Sequence, residues 1–293
     1  MVVRGTDTRL SISNSNFHNS SLLVEQGAQV TLLDTSFNTL GDDCKPFSII
    51  VRGEGSRVTL NNCAINGGPR AASISNGASM HARRLTCTGT EQAIQVSGLH
   101  SRLELRESVL IGTAPANEAA EGGLETAWQG CGAAVVATNS SMCHVEGCQL
   151  SRGGVYASEC AEFKLLECKI SNCGFGCCVA HACSAAHIEH CAFEKSCGAA
   201  LVVSGGGDAV AVRGCTFVEH RQWGLVATTG ARVKAHACAS GSCGDGYQST
   251  NGATLNATEC ISTSDSTGFC VEGTGSKLTL LKCSAHNLSL IHI

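Results

Sequence analysis

Two neighbouring carboxylates, Asp42 and Asp43, are the first candidates in this sequence for catalytic residues. They lie in the stretch Gly41-Asp-Asp-Cys-Lys-Pro46. A pair of carboxyl groups can supply the acid and the base, or the acid and the nucleophile, that cleave a glycosidic bond. Asp is also a common turn residue, so a purely conformational role explains the same pair. Both interpretations stay open at this point.

A second acidic stretch, roughly 111–132, adds candidates for ligand binding. A tryptophan within it, Trp128, could stack on a sugar ring, because its large flat face is apolar. We expect one shallow groove that combines Asp42 and Asp43 with further residues from the loops. The candidate ligand-binding residues are Arg70, Glu91, Glu118, Glu121, Glu125 and Trp128. A solvated acidic loop is the alternative.

Metal binding is the other chemistry that the residue types suggest. Five potential ligands are close in sequence, namely His181, Cys183, His187, His190 and Cys191. The repeat described below places Cys191 inside and His187 outside, so these side chains cannot converge on one ion. Gly205-Gly-Gly207 precedes no helix and is not a phosphate-binding loop. We therefore predict no metal site and no cofactor.

The elements that must position these residues recur along the whole chain. In the segment 209–217, AVAVRGCTF, Val210 and Val212 are apolar, two turn-like residues follow, and Cys215 and Phe217 are again small or apolar. Most steps between repeats are about 20 to 24 residues, which is typical of a solenoid. The same template begins at Leu10, Val30, Val58, Met80, Leu103, Cys143, Phe163, Ala186, Val210, Val233, Leu255 and Leu278.

Alternation of apolar and polar residues within each repeat predicts short β-strands with one face inside and one outside. Asn14, Asp34, Asn62, Gly147 and Gly214 share the position that follows the first strand, and these residue types tolerate a sharp left-handed turn. Each repeat then has a second short strand and, after a looser loop, a third. The two long steps between repeats are interpreted as loop insertions.

Three short strands per coil resemble the right-handed parallel β-helix of the pectate-lyase-like superfamily, over essentially the whole chain. We therefore predict an all-β, single-stranded parallel β-helix of about twelve coils. Adjacent coils should stack about 4.8 Å apart. The two insertions leave on the same side, three coils apart, and so about 14 Å apart along the axis.

A local resemblance accompanies the fold. Gly41-Asp42-Asp43-Cys44 is similar to the Gly-Asp-Asp-Cys motif of polygalacturonase-type glycoside hydrolases. This resemblance implies that Asp42 and Asp43 are catalytic carboxylates acting on an acidic polysaccharide.

In the superfamily the substrate groove generally follows the outward face of the third strand. The predicted outward row is Leu23, Ile50, Ser73, Gln95, Val135, Val155, Cys178, Val202, Leu225, Tyr247 and Cys270. It contains no carboxylate that could act as an acid, a base or a calcium ligand. Such an apolar strip favours a covering loop, a partner protein or another copy of the chain.

Eight of the twenty cysteines share one inward position and should form an internal ladder. They are Cys63, Cys148, Cys168, Cys191, Cys215, Cys238, Cys260 and Cys283. Strand spacing is slightly long for a disulfide, so we interpret the ladder as buried thiols. Cys160 with Cys183, and Cys173 with Cys197, lie in adjacent coils and fit either disulfides or stacked thiols.

Charge and hydropathy restrict the partners. The net charge is −4, and no lysine or arginine cluster occurs. These features argue against nucleic acid and anionic membranes as partners, and no apolar run is long enough to span a membrane. The compartment stays open, because no secretory signal is visible at the start, whereas the superfamily resemblance favours an extracellular location.

The last six residues, Leu288 to Ile293, read LSLIHI and resemble the translation of a transposase adapter used in sequencing libraries. We therefore expect residues 1–287 to form one parallel β-helix, part of a longer solenoid, and 288–293 to be non-native.

Three functions remain. We favour a non-catalytic β-helix module that presents an extended surface to carbohydrate or protein. The first alternative is a polysaccharide-active enzyme, either a polygalacturonase-like hydrolase or a pectate-lyase-like lyase. The second is a purely structural stalk. Fold alone does not decide among them.

Overall fold

The computed structural model describes residues 1–39, 47–90, 92–113, 133–181 and 183–289. In these ranges the chain forms a succession of short β-strands and no helix, and hence none that could cross a membrane. The strands lie in three parallel sheets of twelve strands each. Each coil contributes one strand to every sheet, which confirms the predicted all-β parallel β-helix of about twelve coils with three strands per coil.

The strands are numbered β1 to β36 along the chain, and every third strand belongs to the same sheet. The first sheet contains β1 (Val2–Arg4), β4 (Leu22–Glu25), β7 (Ile49–Arg52), β10 (Arg70–Ser75), β13 (Gln92–Ser97), β16 (Ala133–Thr138), β19 (Gly154–Ser158), β22 (Cys177–Ala180), β25 (Leu201–Ser204), β28 (Trp223–Thr228), β31 (Asp245–Thr250) and β34 (Thr267–Glu272). The second sheet contains β2 (Arg9–Ser13), β5 (Gln29–Leu33), β8 (Arg57–Asn61), β11 (Ser79–Arg83), β14 (Arg102–Arg106), β17 (Met142–Glu146), β20 (Glu162–Leu166), β23 (Ala186–Glu189), β26 (Val210–Arg213), β29 (Arg232–His236), β32 (Thr254–Thr258) and β35 (Lys277–Leu281). The third sheet contains β3 (Asn16–His18), β6 (Ser36–Asn38), β9 (Ala64–Asn66), β12 (Thr86–Thr90), β15 (Val109–Gly112), β18 (Gln149–Ser151), β21 (Lys169–Ser171), β24 (Ala192–Glu194), β27 (Thr216–Val218), β30 (Ala239–Gly241), β33 (Ile261–Thr263) and β36 (Ser284–His286).

Neighbouring coils pair in register, so each repeat position becomes a column along the solenoid. Val210 of β26 pairs with Val233 of β29, which pairs in turn with Leu255 of β32. Side chains alternate between the two faces of a strand. Val210 and Val212 are accordingly buried, whereas Arg213 on the same strand is exposed.

The tight turn between the second and third sheets has a left-handed residue in every coil, as the sequence predicted. The twelve residues with positive φ are Asn14, Asp34, Asn62, Arg84, Glu107, Gly147, Glu167, His190, Gly214, Ala237, Glu259 and Lys282. Only some of these are residue types that favour this conformation. The turn is therefore imposed by the strands that it joins as well as by local preference.

Aromatic rings and thiols fill the interior. Phe193, Phe217, Tyr247 and Phe269 stack along the axis with ring centroids 5.6, 6.3 and 5.0 Å apart. Such offset and edge-to-face contacts add to the free energy gained from burial. Because every coil fills its own section of the core, the coils depend on their neighbours for stability.

The eighteen cysteines in the described residues are thiols rather than disulfides. The eight ladder cysteines lie in the core, although Cys283 in the last coil is half-buried. Cys160 hydrogen-bonds with Cys183, and Cys173 and Cys197 are also thiols. Burial raises the pKa of Cys173 to about 12, so its thiolate, the reactive form, is scarce at neutral pH.

Candidate binding surface

The outward face of the first sheet forms a continuous strip along the solenoid. Its central row is Leu23, Ile50, Ser73, Gln95, Val136, Tyr156, Cys178, Val202, Val226, Gln248 and Cys270. Seven of these residues were predicted from the sequence. Because neighbouring coils pair in register, successive members of the row are spaced by one coil, about 4.8 Å. We call this row the outward strip.

Four members of the predicted row were wrong. Val135, Val155, Leu225 and Tyr247 point inward and are fully buried, and the residue after each one belongs to the outward strip. In three of these coils the two adjacent residues are both large and apolar or aromatic, so hydropathy does not distinguish the inside from the outside. A one-residue error in a strand exchanges its two faces.

In the C-terminal half the strip is covered rather than exposed. Cys178, Val202 and Val226 are at least 97% buried although they point away from the core. They form a second apolar cluster with Phe175 and Ala199, against which Tyr156 and Trp223 pack. The apolar outer strip is thus covered in these coils, as predicted. Phe175 and Ala199, which lie just before β22 and β25, form part of this cover.

In the N-terminal half the same face is polar and more open. The outward residues of β10, β13, β16 and β19 are Ser73, Ser75, Gln95, Ser97, Val136, Thr138, Tyr156 and Ser158. All except Ser158 are half-buried. We call these four coils the polar segment; it extends about 14 Å along the axis. Hydroxyl and amide groups, which both donate and accept hydrogen bonds, therefore lie beside an aromatic ring.

Of the predicted site residues, only Arg70 is described. It is the first residue of β10, and its guanidinium carbon lies 5.2 Å from the centre of the Phe47 ring. This cation–π contact holds Arg70 at the edge of the polar segment. The remaining candidates lie outside the described residues, namely Asp42, Asp43, Glu91, Glu118, Glu121, Glu125 and Trp128.

The strands that flank the two insertions are described, and they locate both insertions on the fold. The first joins β6 to β7, and the second joins β15 to β16. Both junctions run from the third sheet to the first, and they are three coils apart, as predicted. Arg70 follows the first junction by one coil. The polar segment therefore lies beside the corner at which both insertions leave the solenoid.

Charged side chains at the start of the same face form ion pairs. Glu25 lies between Arg4 and Arg52 in the neighbouring strands and accepts hydrogen bonds from both; the one from Arg52 measures 2.6 Å. The hydrogen bond from Arg52, followed by that from Arg4, holds the pKa of Glu25 below its usual value. This carboxylate is consequently ionised and paired, which does not suit it to proton transfer.

The histidines and cysteines near residue 187 diverge as predicted. Cys191 is buried in the ladder, whereas His187 is half-buried on the outward face of the second sheet, 3.9 Å from Glu189. In the described residues no group of three or more His, Cys, Asp or Glu side chains has the arrangement of a metal site.

Comparison with known proteins agrees with this architecture. Residues 153–291 match the family model described as "Right handed beta helix region". The solved structure of the periplasmic alginate epimerase AlgG superposes with a TM-score of 0.69 at 11% identity, covering 97% of this chain and 76% of that one. A point mutant of the same epimerase gives a TM-score of 0.70 at 10% identity, with the same coverage. None of the curated proteins matches the sequence.

Proposed function

Because the chain is a right-handed parallel β-helix protein with the fold of the pectate-lyase-like proteins, we propose that it is a carbohydrate-binding module. The ligand would lie along the polar segment on the outward face of the first sheet. The observation that carries this proposal is the regular spacing of Ser73, Ser75, Gln95, Ser97 and Thr138 beside Tyr156.

A polysaccharide matches such a surface chemically. Its hydroxyl groups recur along the chain and can exchange hydrogen bonds with a row of serine, threonine and glutamine side chains. The apolar faces of its sugar rings can pack on Tyr156 and Val136. An open, half-buried strip suits a long ligand, whereas a small molecule would require a deeper pocket.

Acidic sugars are the favoured class, because Arg70, the first residue of β10, lies at the edge of the polar segment. Its guanidinium can hold a carboxylate through two parallel hydrogen bonds. The similarity to AlgG is compatible with this class, since that protein is by name an epimerase of alginate. At 11% identity, however, the similarity supports the shared fold and not a shared activity.

The test is a binding screen of acidic and neutral polysaccharides by calorimetry with the whole chain. We expect an acidic polysaccharide to bind, and Tyr156→Ala to weaken binding about threefold to tenfold, the range for loss of one aromatic contact. Leu33→Ala, on the outward face of the second sheet, is the control and should leave the affinity unchanged. Absence of binding across the panel, or equal affinity of the Tyr156 variant, would refute the proposal.

An enzyme that acts on an acidic polysaccharide is the second candidate. It is supported by the two junctions β6–β7 and β15–β16, because both run from the third sheet to the first and they are three coils apart. This proposal expects product release from a polyuronide that is lost in both Asp42→Asn and Asp43→Asn. Binding without turnover over a broad panel would contradict it.

The protein-binding and structural alternatives give different results in the same experiments. A protein partner, or a second copy of the chain, would mask the outward strip without any affinity for glycans. A structural stalk would bind neither glycans nor a protein partner, and charge reversal at Arg70 would affect only its stability.

A further inference from the structure

The outward face of the second sheet has a region whose positive charges are not matched by carboxylates. On β14, β17 and β20 the cations of this face form ion pairs: Arg102 with Glu104, Arg106 with Glu146 at 3.3 Å, and Lys164 with Glu162 at 2.5 Å. These pairs leave little net charge along β14, β17 and β20. A free anion would gain little by binding there.

Two coils beyond β20, at β26, these ion pairs stop. Among the described residues, Arg213 and Lys234 have no carboxylate within 4.0 Å, and His236 has one only at that limit, Glu259. The other basic residue of β29, Arg232, donates its hydrogen bonds to the carbonyl oxygen of Gly207. Arg213 and Lys234 therefore form no ion pair with a described carboxylate, although Glu189 is the cross-strand neighbour of Arg213.

Strand register brings these groups together. Ala211 pairs with Lys234 and Arg213 with His236, and in the next coil Lys234 pairs with Asn256 and His236 with Thr258. The six side chains form a grid with steps of about 4.8 Å across the strands and about 6.6 Å along them. The grid spans β26, β29 and β32.

A small side chain turns this grid into a depression. At the corner held by Ala211 the side chain ends at a methyl group, whereas its neighbours Arg213 and Lys234 are long. The resulting space has a volume of about 490 Å³ and is lined by Ala211, Arg213, Lys234, Ala235, His236, Asn256 and Thr258. Its rim thus carries two full positive charges, an imidazole, an amide and a hydroxyl.

We propose that this depression binds one oxyanion group, a sulfate, phosphate or carboxylate, either as a small anion or as a substituent on a sugar. Charge-assisted hydrogen bonds from a guanidinium and an ammonium are the usual means of holding such groups. The site lies on a different sheet from the polar segment, so it is independent of the carbohydrate-binding proposal.

Flanking carboxylates limit the ligand to a single anionic group. Glu189, in the preceding strand β23, lies opposite Arg213 in the strand register. Glu259 follows Thr258 at the other end of the grid. Glu189 lies 3.9 Å from His187, and Glu259 lies 3.6 Å from Lys282. A nucleic acid or another polyanion that continued past the depression would meet these carboxylates. A ligand with one anionic group avoids them.

The test is titration of the whole chain with sulfate and with phosphate at constant ionic strength, followed by calorimetry. We expect saturable binding, weakened about fivefold by Arg213→Gln and again by Lys234→Gln, as expected for loss of one charge near the surface. Arg102→Gln is the matched control, since Arg102 is already paired with Glu104, and it should leave the affinity unchanged.

A substitution at Ala211 tests the same binding site while Arg213 and Lys234 are both retained. Ala211→Glu places a carboxylate between Arg213 and Lys234, and it should abolish binding and raise the melting temperature at low salt. Ala211→Gln, equal in size but neutral, should bind more tightly than the Glu variant. Equal affinities of these two variants, or a response that follows ionic strength without saturation, would overturn the proposal.

A sulfated monosaccharide and its unsulfated parent identify the source of the anion. Tighter binding of the sulfated sugar than of inorganic sulfate indicates a sugar-borne group, and equal binding indicates a small free anion. Tyr156→Ala should not change either affinity, so the two proposals can fail separately.

Discussion

His220 makes the stability of the solenoid depend on pH in a way that can be calculated. The side chain lies inside the coil with 2% of its surface exposed. Its Nδ1 accepts a hydrogen bond from the backbone N–H of Ser196 at 3.1 Å, and its Nε2–H donates to the carbonyl oxygen of Phe193 at 3.0 Å. The bond from Ser196 requires the neutral ring, because a protonated Nδ1 cannot accept, whereas the bond to Phe193 would survive protonation.

Burial is the main cause that lowers the pKa of His220 from 6.5 to about 4. Above pH 6.5 both the folded and the unfolded chain carry a neutral imidazole, and stability does not respond to this group. Between pH 6.5 and 4 the unfolded chain binds a proton that the folded chain does not, so the free energy of unfolding falls. Linkage gives a loss of about 1 kcal/mol at pH 5.5 and about 3 kcal/mol at pH 4.5.

Urea unfolding of the wild type and of His220→Gln, at pH 7.5, 6.5, 5.5 and 4.5, measures this loss. Glutamine can keep one donor and one acceptor but does not titrate. The difference in unfolding free energy between the two proteins should therefore shift by the amounts above as the pH falls. His18→Gln, at an exposed position of β3, is the control and should show the pH dependence of the wild type. Parallel curves for the wild type and His220→Gln would refute the buried neutral histidine.

Further predictions concern packing, thiols and turns. In urea unfolding, Gly176→Ala should lower the unfolding free energy by about 1–3 kcal/mol, because its Cβ would lie 2.5 Å from a carbonyl oxygen of the next coil. Gly206→Ala is the control and should lower the unfolding free energy far less, because nothing lies within 4 Å of a Cβ at that position. Among the described cysteines, Cys270 and Cys283 are the two that are not buried, and peptide mapping after brief native alkylation should find label at these two; early labelling of ladder thiols would contradict a buried ladder. Ala237 has a φ of 51°, so Ala237→Gly should raise the unfolding free energy by about 0.5–1 kcal/mol, and a loss of stability would argue against a strained turn.

The sequence predicted the second and third sheets more reliably than the first. In the second sheet, inward positions such as Val210 and Val212 alternate with polar residues such as Arg213, so the pattern distinguishes the two faces. In the first sheet, Leu225 and Val226 are adjacent and equally apolar, and the outward residue is itself buried. Where both faces of a strand are apolar, the period of two carries no signal.

Candidate sites were predicted mainly where the sequence has local motifs. Of those residues, the structure describes Arg70 and places it beside the polar segment, while the motif with Asp42 and Asp43 remains a prediction. The depression beside Ala211 has no local motif. Its members are separated by about one coil of sequence, and each is unremarkable alone, so only strand register could reveal it.

What the sequence determined by itself was the repeat: three strands per coil, twelve coils, the left-handed turn and the inward ladder of cysteines. These features follow from local periodicity and residue type, and the same pattern is repeated in each coil. The tertiary structure decided which side chains become neighbours across coils. Pairing in register brings residues that are some twenty positions apart, or more where a loop is inserted, to within about 4.8 Å. It places Arg106 opposite Glu146 of the next coil, for example, and the two side chains form an ion pair at 3.3 Å.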